Sequence, residues 1–77
     1  MATLNPNPTA LEKIRREAGL SRKKLGEISG ANWRAIENYE QRRRPINMAP
    51  VSIVYSLAKA LNVPIENLLE PEEETEK

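Results

Sequence analysis

The stretch Ser21–Glu40 constrains the fold more than any other part of the chain, because it holds two short helical patterns separated by a glycine. Ser21 and Asn32 are residue types that cap helices, since their side-chain oxygens accept exposed N–H groups of a first turn. Gly30 can end a helix at positive φ without a Cβ clash. Each pattern also carries two apolar residues three positions apart: Leu25 with Ile28, and Ile36 with Tyr39. The stretch therefore predicts two helices around a tight turn, a helix-turn-helix.

A further helix is predicted before this stretch, over residues 9–18. Thr9 and Glu12 have the spacing of a capping box, and Gly19 is placed to end the helix. The apolar residues of this segment follow one helical stripe: Leu11, Ile14 and Ala18. Gly26, within the second predicted helix, allows close approach of the neighbouring helix because it has no side chain.

The C-terminal half predicts two more helices after an exposed loop. The loop runs from Gln41 to Met48 and includes three consecutive arginines followed by a proline. Pro50 suits the first turn of a fourth helix, which Asn62 can end in the left-handed region. The apolar stripe of this helix is Val51, Val54, Leu57, Ala58 and Leu61. A short fifth helix is predicted over residues 63–69, and no strand pattern occurs, so the expected fold is all-α with five helices.

The chain is expected to form one compact domain over residues 9–70, preceded by an arm and followed by a tail. Residues 1–8 contain two prolines, which disfavour helix in the residues before them. Residues 71–77 have the sequence PEEETEK, with no apolar side chain, and are expected to be disordered.

Composition excludes several classes of site. The sequence contains no cysteine and no histidine, so neither a disulfide framework nor the usual zinc ligands are available. No cofactor and no metal are expected, and an enzyme is not expected because the serines have no histidine base. No apolar run approaches the roughly 18 residues of a membrane span, and no secretory signal precedes the domain. The expected location is the cytoplasm.

Charge is unevenly distributed along the chain. Residues 9–44 hold ten Lys and Arg against five Glu, a balance of +5, whereas residues 45–77 hold two Lys against six Glu, a balance of −4. Such segregation predicts that the first half meets a polyanion. The alternative is that the charges only solvate helix faces.

With these residues in order, the chain resembles the lambda-repressor-like family of Cro/C1-type helix-turn-helix regulators, also called XRE-type. The resemblance covers about residues 9–70 and rests on these elements: Leu20-Ser21, Leu25-Gly26-Glu27, Gly30, Ile36, Tyr39-Glu40 and Leu57-Ala58-Lys59-Ala60-Leu61-Asn62-Val63. It implies a compact five-helix DNA-binding domain whose second motif helix, residues 33–40, enters the major groove.

The chain departs from the family pattern at four places. Arg22 stands where Gln is most frequent, Ser29 replaces a commonly apolar residue, and Trp33 opens the recognition helix where a polar residue is usual. The loop from Gln41 to Met48 is also longer than the commonest version. The changes at Ser29 and Trp33 affect how the recognition helix is seated and which bases it contacts.

Four residues of the recognition helix are predicted to face outward, because its apolar residues must face the core: Trp33, Arg34, Glu37 and Asn38. The family's base-reading positions fall on Trp33, Arg34 and Asn38. Arg34 can pair with guanine O6 and N7, and Asn38 with adenine N6 and N7. Trp33 offers apolar contact to a thymine methyl, or its ring folds back onto the protein. Glu37 can accept from a cytosine amine, although it would repel phosphate.

Five further residues are candidate phosphate contacts, which position a protein on DNA without reading sequence: Arg22, Lys23, Gln41, Arg43 and Arg44. Arg22 matches the family's phosphate contact at the start of the second helix, and Arg43 with Arg44 matches its phosphate-facing loop. Lys23 and Arg42 are weaker candidates than the other residues. The alternative for these arginines is a solubilising basic loop.

Arg15 and Glu40 are assigned a structural role. In the family the matching positions form an ion pair between the first helix and the end of the recognition helix. The resemblance therefore implies that Arg15 and Glu40 orient the recognition helix rather than contact DNA.

The expected function is sequence-specific binding of double-stranded DNA by a small bacterial or phage-type transcriptional regulator. Repression by occupying a site that polymerase needs is the simplest mode, with activation as the alternative. A competing hypothesis is an antitoxin-like or other interaction module that mainly binds a protein partner. The resemblance also implies a homodimer, with the fourth and fifth helices and Val63, Ile65 and Leu69 as the expected surface. No small-molecule ligand is expected.

Overall fold

The computed structural model describes residues 7–70, and all regular secondary structure in this range is helical, with no β-strand. The four α-helices of the range are α1 (Ala10–Glu17), α2 (Arg22–Ser29), α3 (Trp33–Glu40) and α4 (Val51–Leu61). Two short 3₁₀ turns span Ile46–Met48 and Ile65–Asn67. The all-α prediction is therefore confirmed. The predicted tail, and residues 1–6 of the predicted arm, lie outside the described residues.

The starts of the first three helices follow the predicted capping chemistry. The side-chain oxygens of Thr9, Ser21 and Asn32 accept backbone N–H groups from the first turns of α1, α2 and α3 at 2.8–3.2 Å. Each such bond satisfies a donor that has no partner within its helix. The predicted range 9–18 for the first helix contracts to Ala10–Glu17 because its two end residues act as caps.

Helix ends use the predicted left-handed residues. Gly30 has φ 82° at the end of α2, and Asn62 has φ 60° at the end of α4. The start of α4 differs from the prediction, since Pro50 lies before the first helical residue with extended ψ of 138°. A proline at that position needs no N–H partner, and it directs the chain into α4 from the preceding loop.

The predicted fifth helix is wrong: residues 63–69 contain only the 3₁₀ turn Ile65–Asn67. The backbone bonds of this segment connect residues three apart, from Asn67 N–H to Pro64 and from Leu68 N–H to Ile65, at 3.1 and 2.9 Å. Pro64 has extended backbone geometry, so a helix could begin only after it. Leu68, four residues later, is fully buried in the core, which leaves room for a 3₁₀ turn but not for an α-helix. A tight turn therefore replaces a helix.

The core forms where α2 packs against both α3 and α4, with α1 against α3. Within residues 7–70 its buried apolar members are Leu11, Leu25, Ile36, Tyr39, Ile46, Val54, Leu57, Ala58, Leu61 and Leu68. Ile46 was expected in an exposed loop, but the first 3₁₀ turn directs it inward. No helix in the described range is long and apolar enough to cross a lipid bilayer.

Three residues assigned to apolar stripes are exposed instead. Ala18 is exposed, Ile28 is 53% exposed and Val51 is 71% exposed. All three lie at the ends of their helices, where fewer neighbouring elements surround a side chain. Helical spacing identifies the buried face but not how far along the helix that face is covered.

Gly26 sits at the closest approach between α2 and the turn that leads into α3. A Cβ built on Gly26 would lie 2.9 Å from the carbonyl oxygen of Ala31 and 3.4 Å from Cβ of Trp33. The nearest obstacle is backbone, which cannot rotate away as a flexible side chain would. The glycine thus permits the close approach that the sequence predicted.

We expect Gly26→Ala to destabilise the domain by about 1–2 kcal/mol, because the clash with Ala31 outweighs a helix-propensity gain of up to about 1 kcal/mol. Urea unfolding followed by circular dichroism measures the change. Lys24→Ala, at an exposed position of the same helix, is the control and should stay within about 0.5 kcal/mol of the original protein. Unchanged or increased stability of Gly26→Ala would contradict the close-approach interpretation.

Candidate functional site

Helix α3 has one buried and one outward face. Ile36 is fully buried and Tyr39 is 5% exposed, so these residues fix the helix on the core. The four predicted reading residues lie on the remaining surface, with Trp33 and Arg34 exposed and Glu37 and Asn38 half-buried. The eight-residue helix therefore presents polar and aromatic groups away from the core along its length.

Trp33 and Arg34 are paired at the start of α3. The guanidinium carbon of Arg34 lies 5.4 Å from the centre of the Trp33 ring, within the roughly 6 Å range of a cation–π contact. Trp33 is 39% exposed, so its ring is neither buried in the core nor fully solvated. The contact restricts the orientation of Arg34 and keeps both groups at the surface.

Asn38 connects the outward face of α3 to the arginine loop. Nη1 of Arg43 donates to Oδ1 of Asn38 at 3.2 Å. The backbone carbonyl of Asn38 also accepts the N–H groups of Arg43 and Arg44, at 2.9 and 3.3 Å. The loop thus begins at the outward face of α3, with the exposed Gln41 at the C-terminal end of the helix. Since Oδ1 has a second lone pair and the amide two donors, Asn38 keeps hydrogen-bonding capacity.

Two clefts flank Trp33, and both carry basic residues. The clefts have volumes of about 550 and 480 Å³, and Trp33 and Lys23 line both of them. The first also contains Arg15, Arg16, Ser21 and Arg22, and the second contains Arg34 together with the acidic Glu27. Arg16 was not predicted at this site, and it pairs with Glu12 at 2.8 Å. The arrangement creates a predominantly cationic surface on both sides of one exposed aromatic ring.

Behind this surface, the fully buried carboxylate of Glu40 binds two arginines. Oε2 accepts from Nε of Arg15 at 2.6 Å, and Oε1 accepts from Nη2 of Arg15 at 3.1 Å and from Nε of Arg22 at 2.9 Å. Nη1 of Arg15 donates to the Leu20 carbonyl at 2.7 Å. Residues of α1, α2 and α3 therefore meet at one carboxylate, and Arg15 also binds the α1–α2 connection.

The predicted partners Arg15 and Glu40 are thus in direct contact, and Arg22 has a partner that sequence reasoning missed. Arg22 was assigned to phosphate, whereas its Nε is bonded to Glu40 and its side chain is 29% exposed. Its two terminal nitrogens make no hydrogen bond within residues 7–70, so phosphate contact remains a prediction for them. The sequence signal that was available for a different role was that Arg22 stands where the family that the sequence resembles most often has Gln.

The three arginines of the loop differ in their partners. Arg42, Arg43 and Arg44 are all exposed, as is Lys23 on α2. Arg42 nevertheless pairs with Glu70 at 2.9 Å, with its side chain 41% exposed. A separation of 28 residues leaves no local sequence pattern that could have revealed this pair.

Comparison of the chain with protein-family models, with curated proteins and with solved structures finds no match. The role of this surface is therefore argued from its geometry and charge together with the sequence motifs described above.

We expect Glu40→Gln to destabilise the domain by about 3 kcal/mol or more, because two buried or half-buried guanidinium groups would face a neutral amide. Urea unfolding gives the free energy, and Glu17→Gln on the exposed end of α1 is the charge-matched control. Arg15→Met should cost more than Arg22→Met, since Arg15 is more deeply buried and donates three bonds. A loss below about 1 kcal/mol for Glu40→Gln would contradict the importance of this carboxylate.

Proposed function

We propose that this chain binds double-stranded DNA in a sequence-specific manner as a small bacterial or phage-type transcriptional regulator, favouring repression. In this proposal α2 and α3, joined by residues 30–32, form a lambda-repressor-like helix-turn-helix, and α3 enters the major groove. The observation that carries the proposal is the outward face of α3, fixed on the core from behind and continued by an arginine loop.

The proposed reading residues lie on α3. Arg34, held against Trp33, suits guanine because its fork can pair with O6 and N7. Asn38 suits adenine, while Trp33 offers an apolar surface to a neighbouring thymine methyl. Glu37 lies on the same face and can accept from cytosine N4, although it is the least favourable group near phosphate.

The proposed phosphate contacts surround this face: Arg22, Lys23, Gln41, Arg43 and Arg44. The positive charges of the arginines and Lys23 supply the salt-sensitive part of affinity, because binding releases counterions from DNA, whereas the uncharged Gln41 can only donate a hydrogen bond. Arg22 would contact phosphate through its terminal nitrogens while Nε remains on Glu40. One residue would then link the DNA backbone to the buried network.

A homodimer reading two half-sites is part of the proposal, because this motif commonly binds across two-fold symmetric sites about 34 Å apart. The predicted surface contains the half-buried Val63 and Ile65 and the 36% exposed Leu69. Analytical ultracentrifugation with and without a duplex distinguishes a stable dimer from one that forms on DNA.

A protein-interaction module, such as an antitoxin-like protein, is the second candidate. It is favoured by exposed apolar residues before and along α4: Met48 at 79%, Val51 at 71% and Tyr55 at 54%. Exposed apolar side chains that lie close together are a feature of protein-binding surfaces. The two candidate functions predict different results: a DNA-binding regulator prefers duplex DNA of one sequence at near-physiological salt, whereas a protein-interaction module does not.

Selection of bound duplexes from a random pool at near-physiological salt tests the proposal, and we expect an enriched, palindromic motif. A parallel selection with Arg34→Ala should lose preference at one position per half-site, at a cost of about 1–3 kcal/mol for the original motif. If Arg34→Ala weakens every sequence alike, Arg34 does not read a base. Absence of enrichment with the original chain would instead favour the protein-partner candidate.

Arg43→Ala should weaken binding to all duplexes about equally and reduce the slope of log K against log salt concentration by about one unit. Fluorescence anisotropy of labelled duplexes between about 50 and 200 mM salt measures both quantities. Lys13→Ala is the control, since it removes a positive charge from an exposed position of α1, outside the proposed contacts, and should leave the slope unchanged. A changed motif with an unchanged slope would assign Arg43 to base reading.

A further inference from the structure

Glu70 joins three segments that are distant in sequence. Its Oε2 accepts from the backbone N–H of Ala10 at 3.3 Å, at the start of α1. Its Oε1 accepts from Nε and Nη2 of Arg42 at 3.1 and 2.9 Å, in the loop after α3. Its backbone exchanges two hydrogen bonds with the side chain of Asn47, at 2.8 and 2.9 Å. We call these four residues the Glu70 clasp.

Glu70 has hydrogen-bond partners besides Arg42. The two bonds with Asn47 fix its backbone, and the N-terminus of α1 offers a favourable dipole for its carboxylate. An exposed ion pair usually contributes little because two long side chains must be ordered. Here one partner is already held by other bonds, so the ordering cost of pairing falls mainly on Arg42.

Arg42 is fully engaged, unlike the arginines that follow it. All three of its guanidinium nitrogens donate, two to Glu70 and Nη1 to the Asn7 carbonyl at 2.7 Å. Arg43 donates from its side chain only to Asn38, and Arg44 makes no side-chain hydrogen bond within residues 7–70. The backbone of Arg42 is also in the left-handed region, at φ 60°. Such a conformation costs a non-glycine residue about 1–2 kcal/mol and needs supporting contacts.

We propose that Glu70 is a specificity-determining residue that withholds Arg42 from the DNA backbone. The inference rests on the proposed function. A third free arginine in the loop would add a phosphate contact on any duplex, and phosphate contacts strengthen specific and non-specific binding without reading sequence. Because Glu70 pairs with Arg42, only Arg43 and Arg44 of the loop's arginines contact phosphate. The affinity for DNA of unrelated sequence therefore stays low.

The test compares the salt dependence of binding for Glu70→Gln, Arg42→Gln and the double variant, on the selected duplex and on one of unrelated sequence. Glu70→Gln should steepen the slope of log K against log salt concentration by about one unit, because Arg42 is freed. Arg42→Gln and the double variant should keep the original slope. Glu66→Gln makes the same change of charge without freeing an arginine, so it should also keep the original slope.

Three outcomes would overturn the inference. A slope reduced by about one unit in Arg42→Gln would mean that Arg42 already contacts phosphate. An unchanged slope in a folded Glu70→Gln protein would mean that the clasp serves stability alone. Absence of salt-dependent duplex binding by the original chain would overturn the proposed function, and this inference with it. Circular dichroism establishes that each variant is folded. If Glu70→Gln does not fold, Glu70→Asp, which keeps the charge but shortens the side chain that pairs with Arg42, should steepen the slope in its place, and an unchanged slope would overturn the inference.

Discussion

The buried carboxylate of Glu40 is the interaction on which the rest of this structure depends. It ends α3, and its two arginine partners come from α1 and α2, so three helices are joined at one group. A buried carboxylate is costly without full compensation. Here it accepts three hydrogen bonds and, together with the Leu20 carbonyl, engages every nitrogen of Arg15. Apolar packing alone holds the helices of a small core together without fixing their orientation. The paired hydrogen bonds between Arg15 and Glu40 are directional, so they also fix how α1 and α3 are oriented.

As a consequence, the core contacts on the inner face of α3 fix the position of its outward face. Ile36 and Tyr39 fill the core, and Glu40 anchors the end of the helix, so Trp33, Arg34 and Asn38 are held on a rigid element. Side chains presented from a fixed helix lose less freedom when they bind than those on a loop. The arginines of the loop are held in place in a similar way, by the Asn38 carbonyl and by the Glu70 clasp. One α-helix and its continuation thus form the surface proposed to meet DNA.

The sequence predicted those features that depend on neighbouring residues. The caps Thr9, Ser21 and Asn32 and the left-handed Gly30 and Asn62 follow from side-chain chemistry within a few positions. Features set by distant residues were missed, among them the inward turn of Ile46, the exposure of Val51, the bond from Arg22 to Glu40 and the Glu70 clasp. Residues 63–69 were predicted to form a short helix with Pro64 near its start, whereas the extended backbone of Pro64 and the burial of Leu68 select a tighter turn. The resemblance supplied the Arg15–Glu40 pair, which spacing alone could not.

Trp33 provides the most direct test of the central claim that the outward face of α3 meets DNA, because it is the sole tryptophan of the chain and lies on that face. Its fluorescence and its quenching by acrylamide can be followed while a selected duplex is added at near-physiological salt, with anisotropy of the labelled duplex reporting binding independently. The account predicts a saturable change in emission and reduced access of acrylamide, in proportion to the duplex bound. A duplex that binds while Trp33 remains as accessible as in the free protein would contradict the placement of α3 in the groove.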